Sequence, residues 1–310
     1  MAVGAVVMAF SRNYVELAIA RFLMGVGASL TPPSFIAVLP EWFPQNQHGL
    51  ILGCPVAAYN MAAFTAFAAS ALAPLYGWRT YIWCVAVIPP LIGLILSAIV
   101  LRGRVGVAER ENELQWRNVI RCIKNPDIVK ATVYWMMMAG LYSTMGTWYP
   151  TFFAETMGWP LSFAALIVSV NAVTGIPSGP IGGKISDKMG SRKLVLWVSA
   201  LTLVFAYTLP LIIRNLYLLI IDMILIGVFA TLPNGPINAL LVDMVGTSLA
   251  GTGIGIICLG ASIGSTWSPI IFGTLKDATK AWNYSFHTLG IMGLIAFTSA
   301  TLIKEEKKRM

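Results

Sequence analysis

The sequence predicts an all-α membrane protein whose helices form two related groups, one after the other along the chain. Charged residues make up only 11% of its 310 residues and hydrophobic residues 57%, whereas a soluble domain carries about 25% charged residues. Apolar runs of about 20 residues, the length that crosses a bilayer, recur along the whole chain. Similar residues also recur at one fixed spacing between the two halves. The predicted fold is therefore a helical bundle with two parallel pseudo-repeats.

Ten apolar segments account for most of the chain. At a rise of 1.5 Å per residue, nine of them can cross a hydrocarbon core of about 30 Å, whereas the first is too short. We therefore predict about nine complete transmembrane helices and one partial helix. The segments are 1–11, 16–40, 49–74, 79–101, 126–150, 160–182, 193–213, 217–242, 251–274 and 284–303.

The positions of Lys and Arg predict the orientation of these helices. Fifteen of the 21 basic residues lie on one side of the predicted bundle, and cytoplasmic loops are the ones enriched in Lys and Arg. We therefore expect a multi-pass protein of the plasma membrane, partnered by the lipid bilayer, with a cytoplasmic C-terminus. The net charge of +8 then reflects topology and does not indicate a nucleic-acid partner. The fifteen residues are Arg102, Arg104, Arg110, Arg117, Arg121, Lys124, Lys130, Lys184, Lys188, Arg192, Lys193, Lys304, Lys307, Lys308 and Arg309.

An offset of 202 residues relates the two halves. It maps the segment 193–213 onto the short first segment and places two further helices before Met1. We therefore expect a chain with twelve helices in its complete form, of which the first two and part of the third are missing; a protein of ten segments is the alternative. The predicted domains are the rest of an N-terminal bundle (1–101), a cytoplasmic central loop (102–125), a six-helix C-terminal bundle (126–303) and a cytoplasmic tail (304–310). The matched pairs include Gly25 and Gly227, Glu41 and Asp243, Gly49 and Gly251, and Gly53 and Gly255.

The polar stretch Gly182–Lys193 carries the pattern G-xxx-D-(R/K)-x-G-x-(R/K)-(R/K) between two apolar segments. Gly183 permits two helices to approach closely, and Gly190 permits a tight turn. Asp187 can accept hydrogen bonds from backbone N–H groups at a helix start, or pair with a cation. The pattern resembles the signature loop of the major facilitator superfamily; a solvated basic hairpin is the alternative. Its residues are Gly183, Asp187, Lys188, Gly190, Arg192 and Lys193.

Two acidic residues, Glu41 and Asp243, end the fourth helix of each predicted half. The resemblance implies that such an acid joins a charge cluster with the signature loop, which holds the cytoplasmic gate closed. Because the partner loop of Glu41 would lie before Met1, we expect the loop in this chain to hold only its own half. An ordinary interfacial acid is the alternative for each residue. The expected cluster consists of Asp243, Asp187, Lys188 and Arg192.

Arg21 and Asp222 are charged residues inside predicted helices. Arg21 belongs to the pattern Leu17-xxx-Arg21-xxx-Gly25-x-Gly27, which resembles the second motif of the same family. Asp222 lies at nearly the equivalent depth of the second half, and an ionisable group at such depth needs water or a partner. The two residues suggest either an outer-gate pair or coupling to a proton. Snorkelling of both side chains to the surface is the alternative.

Polar residues inside the helices are the candidates for a substrate path, because hydrocarbon offers them no partner. Asn234 and Asn238 share one helix face, and Pro233 and Pro236 loosen the backbone around them. Hydrogen bonding between helices is the alternative for each. The candidates are Arg21, Asn60, Tyr142, Thr144, Asn171, Asn234 and Asn238.

Two further patterns indicate the class of substrate. Trp148-Tyr149-Pro150-Thr151, also typical of an aromatic belt, and Glu41-Trp42-Phe43-Pro44 resemble the anion:cation symporter branch, although His48 stands where that branch usually has Arg. We therefore predict a secondary transporter of a small organic anion, working by alternating access in symport with a proton or another ion. Spaced glycines predict close helix contacts. They are Gly49, Gly53, Gly251, Gly255, Gly260 and Gly264.

Other classes of function receive less support from the sequence. No P-loop, H-E-x-x-H or G-x-S-x-G pattern occurs, so we predict neither an enzyme nor a bound cofactor. A membrane sensor that does not transport, or a defective truncated paralogue, is the alternative to a transporter.

Overall fold

The structure, a computed structural model, describes residues 1–31, 34, 39, 42–55, 76–101 and 116–305. Helices dominate this part of the chain, and no strand occurs in it. The chain divides into two compact units. The first consists of Met1–Ser34 and Ala62–Trp116, and the second of Phe35–Met61 and Arg117–Met310. Residues 35–61, which the sequence assigns to the first bundle, thus group with the second unit.

The first unit has three described helices. They are α1 (Ala2–Phe10), α2 (Tyr14–Ser29) and α3, which runs from Trp78–Ile82 through a π-helical turn, Trp83–Val87, into Ile88–Leu101. The nine residues of α1 reach only about 14 Å, which agrees with the prediction that the first segment is too short to cross a bilayer. The Asn13 side chain accepts a hydrogen bond from the Glu16 N–H at 2.9 Å and so caps α2.

The second unit is built around the helix α5. This helix packs on α6, α10 and α11, and Gly264 of α10 lies so close that a Cβ there would overlap the Met136 carbonyl. The predicted glycine contact is thus confirmed at Gly264, whereas an added Cβ on Gly255 would meet no atom of the described residues within 4 Å, so a close contact there remains a prediction. The helices are α4 (Trp116–Lys124), α5 (Pro126–Met157), α6 (Leu161–Met189), α7 (Arg192–Ala206), α8 (Leu216–Thr231), α9 (Asn234–Val245), α10 (Thr247–Thr279) and α11 (Trp282–Leu302).

Six of the described helical stretches are long and apolar enough to cross a membrane. The helix α5, with 32 residues, is longer than each of these six stretches but is not among them. The predicted segments 16–40 and 49–74 lie partly outside the described residues, so nine complete helices remain a prediction. The six stretches are Trp78–Ile99, Leu161–Met189, Arg192–Leu211, Leu216–Val245, Leu249–Thr279 and Trp282–Leu302.

The structure differs from the sequence prediction at the two loops that are predicted to face the cytoplasm. Residues 116–124 of the predicted central loop form the helix α4; residues 102–115 lie outside the described part of the chain. In the polar stretch, α6 continues to Met189 and α7 begins at Arg192. Only Gly190, with φ +63°, and Ser191 form the turn between them. The glycine conformation predicted for this turn is confirmed.

The helix predicted at 217–242 is broken at Leu232 and Pro233, where α8 ends and α9 begins. The break agrees with the prediction that proline loosens the backbone here. The predicted aromatic belt is wrong for Tyr149, whose side chain is fully buried and stacks on Phe286.

Candidate functional site

Three charged residues meet where α6, α7 and α9 come together. Arg192 Nη1 donates a hydrogen bond to Asp187 Oδ1, and Arg192 Nε lies 3.8 Å from Asp243 Oδ2. The Arg192 and Asp187 side chains are only 11% and 8% exposed, so both charges are largely removed from water. We call these three residues the gate cluster. Lys188, which the sequence adds to them, is exposed and forms no ion pair with any residue that the structure describes.

Asp187 also holds the start of a helical segment from the first half of the sequence. Its Oδ1 accepts a hydrogen bond from the Gly49 N–H at 3.2 Å, and its Oδ2 accepts one from the Leu50 N–H at 3.1 Å. Both groups belong to the first turn of the helical segment 48–55, where free N–H groups and the helix dipole favour an anion. The expectation that this loop holds only its own half was therefore wrong.

Glycines allow the backbones to come this close. A Cβ on Gly183 would overlap the Gly49 carbonyl, and a Cβ on Gly235 of α9 would approach the same carbonyl. Larger residues at these positions would therefore separate segment 48–55 from α6 and α9. The close approach predicted for Gly183 is confirmed, whereas the part played by Gly235 was not predicted.

Glu305, just after α11, binds the start of α7 and was missed by the sequence analysis. Ser191 Oγ donates to Glu305 Oε2 at 2.8 Å, and the Lys193 N–H donates to the same oxygen at 3.3 Å. The Arg192 N–H donates to Glu305 Oε1. A carboxylate in this position satisfies the free N–H groups at the helix start and complements its dipole. Glu305 thereby fixes the backbone that carries Arg192.

A second set of contacts ties the same end of α11 to α5. Asp127 Oδ1 accepts from the Lys304 N–H at 3.1 Å and pairs with Lys130 Nζ at 2.8 Å. Lys193 Nζ donates to the Thr301 carbonyl. The starts of α5 and α7 are thus joined to the end of α11, at what we call the gate end of the second unit.

We expect the change Glu305→Ala to loosen the first turn of α7. Loss of a capping acceptor costs about 1–2 kcal/mol, which would speed amide hydrogen exchange at residues 192–194 by about 5–30-fold. Hydrogen–deuterium exchange with mass spectrometry measures this rate. The control is Glu155→Ala, because Glu155 is a 45% exposed acid whose partner Lys276, at 3.1 Å, lies on another helix. Unchanged exchange at 192–194 in Glu305→Ala, or an equal change in both variants, would contradict the capping role.

Asp222 of α8 is the second notable group of this unit. Its side chain is 1% exposed, and neither carboxylate oxygen has a hydrogen-bond partner among the described residues. Tyr149 and Tyr207 lie within electrostatic range of it, and the Tyr207 hydroxyl is likewise buried without a described partner. A cavity of about 370 Å³ opens beside the carboxylate. It is lined by Leu201, Thr202, Phe205, Ala206, Leu209, Asp222 and Leu225.

Arg21, the predicted partner of Asp222, is exposed on α2 in the first unit. Because the two residues belong to different units, their pairing remains a prediction. Glu41 and Asn60 lie outside the described residues.

Several predicted substrate-path residues bind helices to one another or to their own helix. Thr144 is buried and shares a 2.6 Å hydrogen bond with Ser268, which joins α5 to α10. Asn171 Nδ2 donates to the Val168 carbonyl, and Asn234 Nδ2 donates to the Thr231 carbonyl at 2.8 Å.

Contact with the substrate stays open for two further candidates, Asn238 and Tyr142. Asn238 forms no side-chain hydrogen bond with the described residues and is 8% exposed. Tyr142 is half-buried on α5. For both residues, substrate contact remains a prediction.

Comparison with known proteins finds a matching family model and several similar proteins whose names describe transport. A family model described as "Major Facilitator Superfamily" matches residues 1–269 and again residues 180–310. The "Probable nitrate/nitrite antiporter NarK1" of Thermus thermophilus is 26% identical over 214 residues, which cover 65% of this chain and 47% of that protein. The "Probable galactarate/D-glucarate transporter GudP" of Bacillus subtilis is 24% identical, covering 94% of this chain and 70% of that protein. The "Benzoate transport protein" of Acinetobacter baylyi is 24% identical, covering 97% of this chain and 72% of that protein.

A solved structure shares the fold. It is a Major Facilitator Superfamily transporter, FucP, in the outward conformation, with a TM-score of 0.72 and 15% identity. The match covers 98% of this chain and 81% of that one. The chain spans about half the length of the nitrate/nitrite relative.

Proposed function

We propose, because this chain belongs to the Major Facilitator Superfamily, that it moves a small anion across a membrane by alternating access, in symport with protons. The gate cluster is the observation that carries this proposal. It is an electrostatic closure at one end of a helical unit, and through Asp187 it also binds backbone N–H groups of Gly49 and Leu50 from the first half of the sequence. We further propose that this end faces the cytoplasm, as the distribution of Lys and Arg predicts.

The closure has the properties of a gate with two states. Asp187 accepts from Arg192 and from two backbone N–H groups of segment 48–55, and hydrogen bonds to a charged group contribute about 1.5–3 kcal/mol each. Separating the segment from α6 removes the two backbone bonds together. Because any separation of segment 48–55 from Gly183 and Gly235 loses close packing, we expect the open and closed forms to be discrete. Substrate binding can then shift the balance between them.

The named substrates of the relatives suggest the class of cargo. Nitrate and nitrite, galactarate and D-glucarate, and benzoate appear in the names of the three relatives, and each is an anion at neutral pH. A transporter for such a solute needs a cation or several N–H donors in its path. We propose that Arg21 supplies the cation, because a guanidinium group binds nitrate or a carboxylate through two parallel hydrogen bonds.

Asp222 supports the proton-coupled part of the proposal. A buried carboxylate without a partner is held at lower cost when it carries a proton. The adjacent cavity gives this carboxylate room to exchange its proton or to meet a partner in another conformation. We therefore assign proton coupling to Asp222.

The test is uptake by the purified full chain in liposomes. With an acidic outside and a neutral inside, we expect accumulation of labelled nitrate, D-glucarate or benzoate above the level in protein-free liposomes, and collapse of the gradient by a protonophore should abolish it. We also expect Arg21→Gln to lower uptake at least about tenfold. Arg12→Gln is the control, since Arg12 is an exposed basic residue in the turn just before α2.

The outcomes separate the candidate functions. Uptake that does not respond to the proton gradient would retain the transporter and reject symport. Substrate binding without uptake would indicate the sensor or the defective paralogue. Equal losses in Arg21→Gln and Arg12→Gln would contradict a role for Arg21 in the path.

A further inference from the structure

The helix α4 has three distinct faces. At 100° per residue, Trp116, Ile120 and Ile123 share an arc of about 60°, and they are 74%, 50% and 53% exposed. The adjacent arc, again about 60° wide, carries only basic residues. They are Arg117, Arg121 and Lys124, all exposed.

The third face attaches α4 to the second unit. Cys122 is 1% exposed and belongs to the main hydrophobic core, and burial raises the pKa of its thiol. The helix ends at Lys124, immediately before Asn125 caps α5 by accepting from the Asp127 N–H at 2.9 Å. Because Asp127 also binds the Lys304 N–H, α4 lies at the gate end.

The basic face of α4 has no partner among the residues that the structure describes. None of its three residues forms an ion pair or a side-chain hydrogen bond with any part of the chain that the structure describes. An exposed apolar stripe beside an unpaired basic stripe is the arrangement of helices that lie in a membrane interface. The apolar side chains enter the acyl region, and the basic ones reach the headgroups.

We propose that α4 is a binding surface for anionic phospholipid headgroups in the leaflet at the gate end of the protein. The partner follows from the charge and from the position. Three cations that have no ion-pair partner among the described residues complement phosphodiester anions, and a helix that directly precedes the long helix α5 and sits at a bundle end is at headgroup depth. A soluble acidic partner would leave the Trp116, Ile120 and Ile123 stripe exposed to water, whereas a lipid interface covers both stripes at once.

The experiment uses the full chain in phosphatidylcholine liposomes with a trace of spin-labelled phosphatidylglycerol or spin-labelled phosphatidylcholine. Electron spin resonance gives the protein-immobilised fraction of each lipid and hence the preference for the anionic lipid. We expect the unmodified chain to prefer phosphatidylglycerol. In the double variant Arg117→Gln/Arg121→Gln we expect that preference to fall about fivefold.

Two matched variants distinguish this surface from charge in general. Arg117→Lys/Arg121→Lys keeps the charges in place and is expected to retain the preference within about twofold, because a point charge suffices for a headgroup phosphate. Arg214→Gln/Lys280→Gln removes the same number of exposed charges from other loops. It is also expected to retain the preference within about twofold. The proposal is overturned if Arg117→Gln/Arg121→Gln retains the preference, if Arg214→Gln/Lys280→Gln loses it equally, or if the lysine variant loses it.

Discussion

Replacing Arg192 with glutamine is expected to open the gate cluster. The substitution removes the cation between Asp187 and Asp243 and leaves two carboxylates facing each other, one of them only 8% exposed. Removing one partner of a buried ion pair costs 3–5 kcal/mol. Because Asp243 is 22% exposed and partly screened by water, we expect about 3 kcal/mol against the closed form. That is roughly a hundredfold shift in the ratio of open to closed molecules.

A buried position in the segment 48–55 can report this opening. Leu52 is fully buried in segment 48–55, so a Leu52→Cys thiol is protected while the segment packs on α6. In a chain whose four native cysteines are replaced by alanine, we expect Arg192→Gln to speed alkylation of this thiol by a membrane-impermeant maleimide at least tenfold. The expected increase in alkylation rate is smaller than the shift in the ratio of open to closed molecules, because labelling also depends on access of the reagent.

Lys188→Gln is the matched control for this experiment. It removes one positive charge from the same end of α6 and α7, but Lys188 pairs with no acid in the described structure. We expect less than a twofold change in the alkylation rate. A similar increase in both variants would mean that local charge, and not the gate cluster, governs the opening. No increase in Arg192→Gln would show that the cluster does not hold the gate closed.

The parts of the gate that the sequence predicts are those encoded within a few residues. The spacing of Gly183, Asp187 and Gly190 is fixed by one helix end and one turn, so the local pattern contains their roles. Arg192 follows from the same pattern because it begins the next helix. The resemblance to a known family then adds Asp243, which no local rule connects to this loop.

Contacts between distant segments explain most of what the sequence missed. Glu305 lies 114 residues after Ser191, and in the sequence it is one acid in a charged tail with no periodic signal. For Thr144, which is polar within an apolar helix, the sequence leaves a place in the substrate path and a hydrogen bond between helices as alternatives. Polarity alone does not tell whether a side chain faces a pore or a neighbouring helix, and Ser268, its partner, is 124 residues away.

The helix α4 was missed for a different reason. The prediction of a loop at 102–125 rests on the number of its basic residues, which indicates topology, and takes no account of their spacing around a helix. Read at 100° per residue, residues 116–124 separate into an apolar and a basic arc, which a loop would have no reason to maintain. The spacing of apolar and basic residues in 116–124 is therefore enough to predict this helix from the sequence.

Replacing Asp222 with asparagine is expected to uncouple transport from protons. The side chain keeps its shape, but an amide cannot bind and release the coupling proton, so uphill accumulation driven by a proton gradient should fall at least about tenfold. Exchange of substrate at equal concentrations needs no net proton movement and should stay within about threefold of the unmodified chain. Both rates are measured in the same liposome preparation, with and without the gradient.

The contrast between the two rates decides what Asp222 does. Asp277→Asn removes an exposed acid from the same unit and should leave both rates unchanged. If Asp222→Asn lowers accumulation and exchange equally, the buried carboxylate supports the fold or the path and not the coupling. If accumulation persists in Asp222→Asn while the protonophore still abolishes it, the proton binds elsewhere and the anion transporter stands without this residue. Selective loss of accumulation is the one result that assigns the coupling proton to Asp222, because no purely structural defect would spare the exchange reaction.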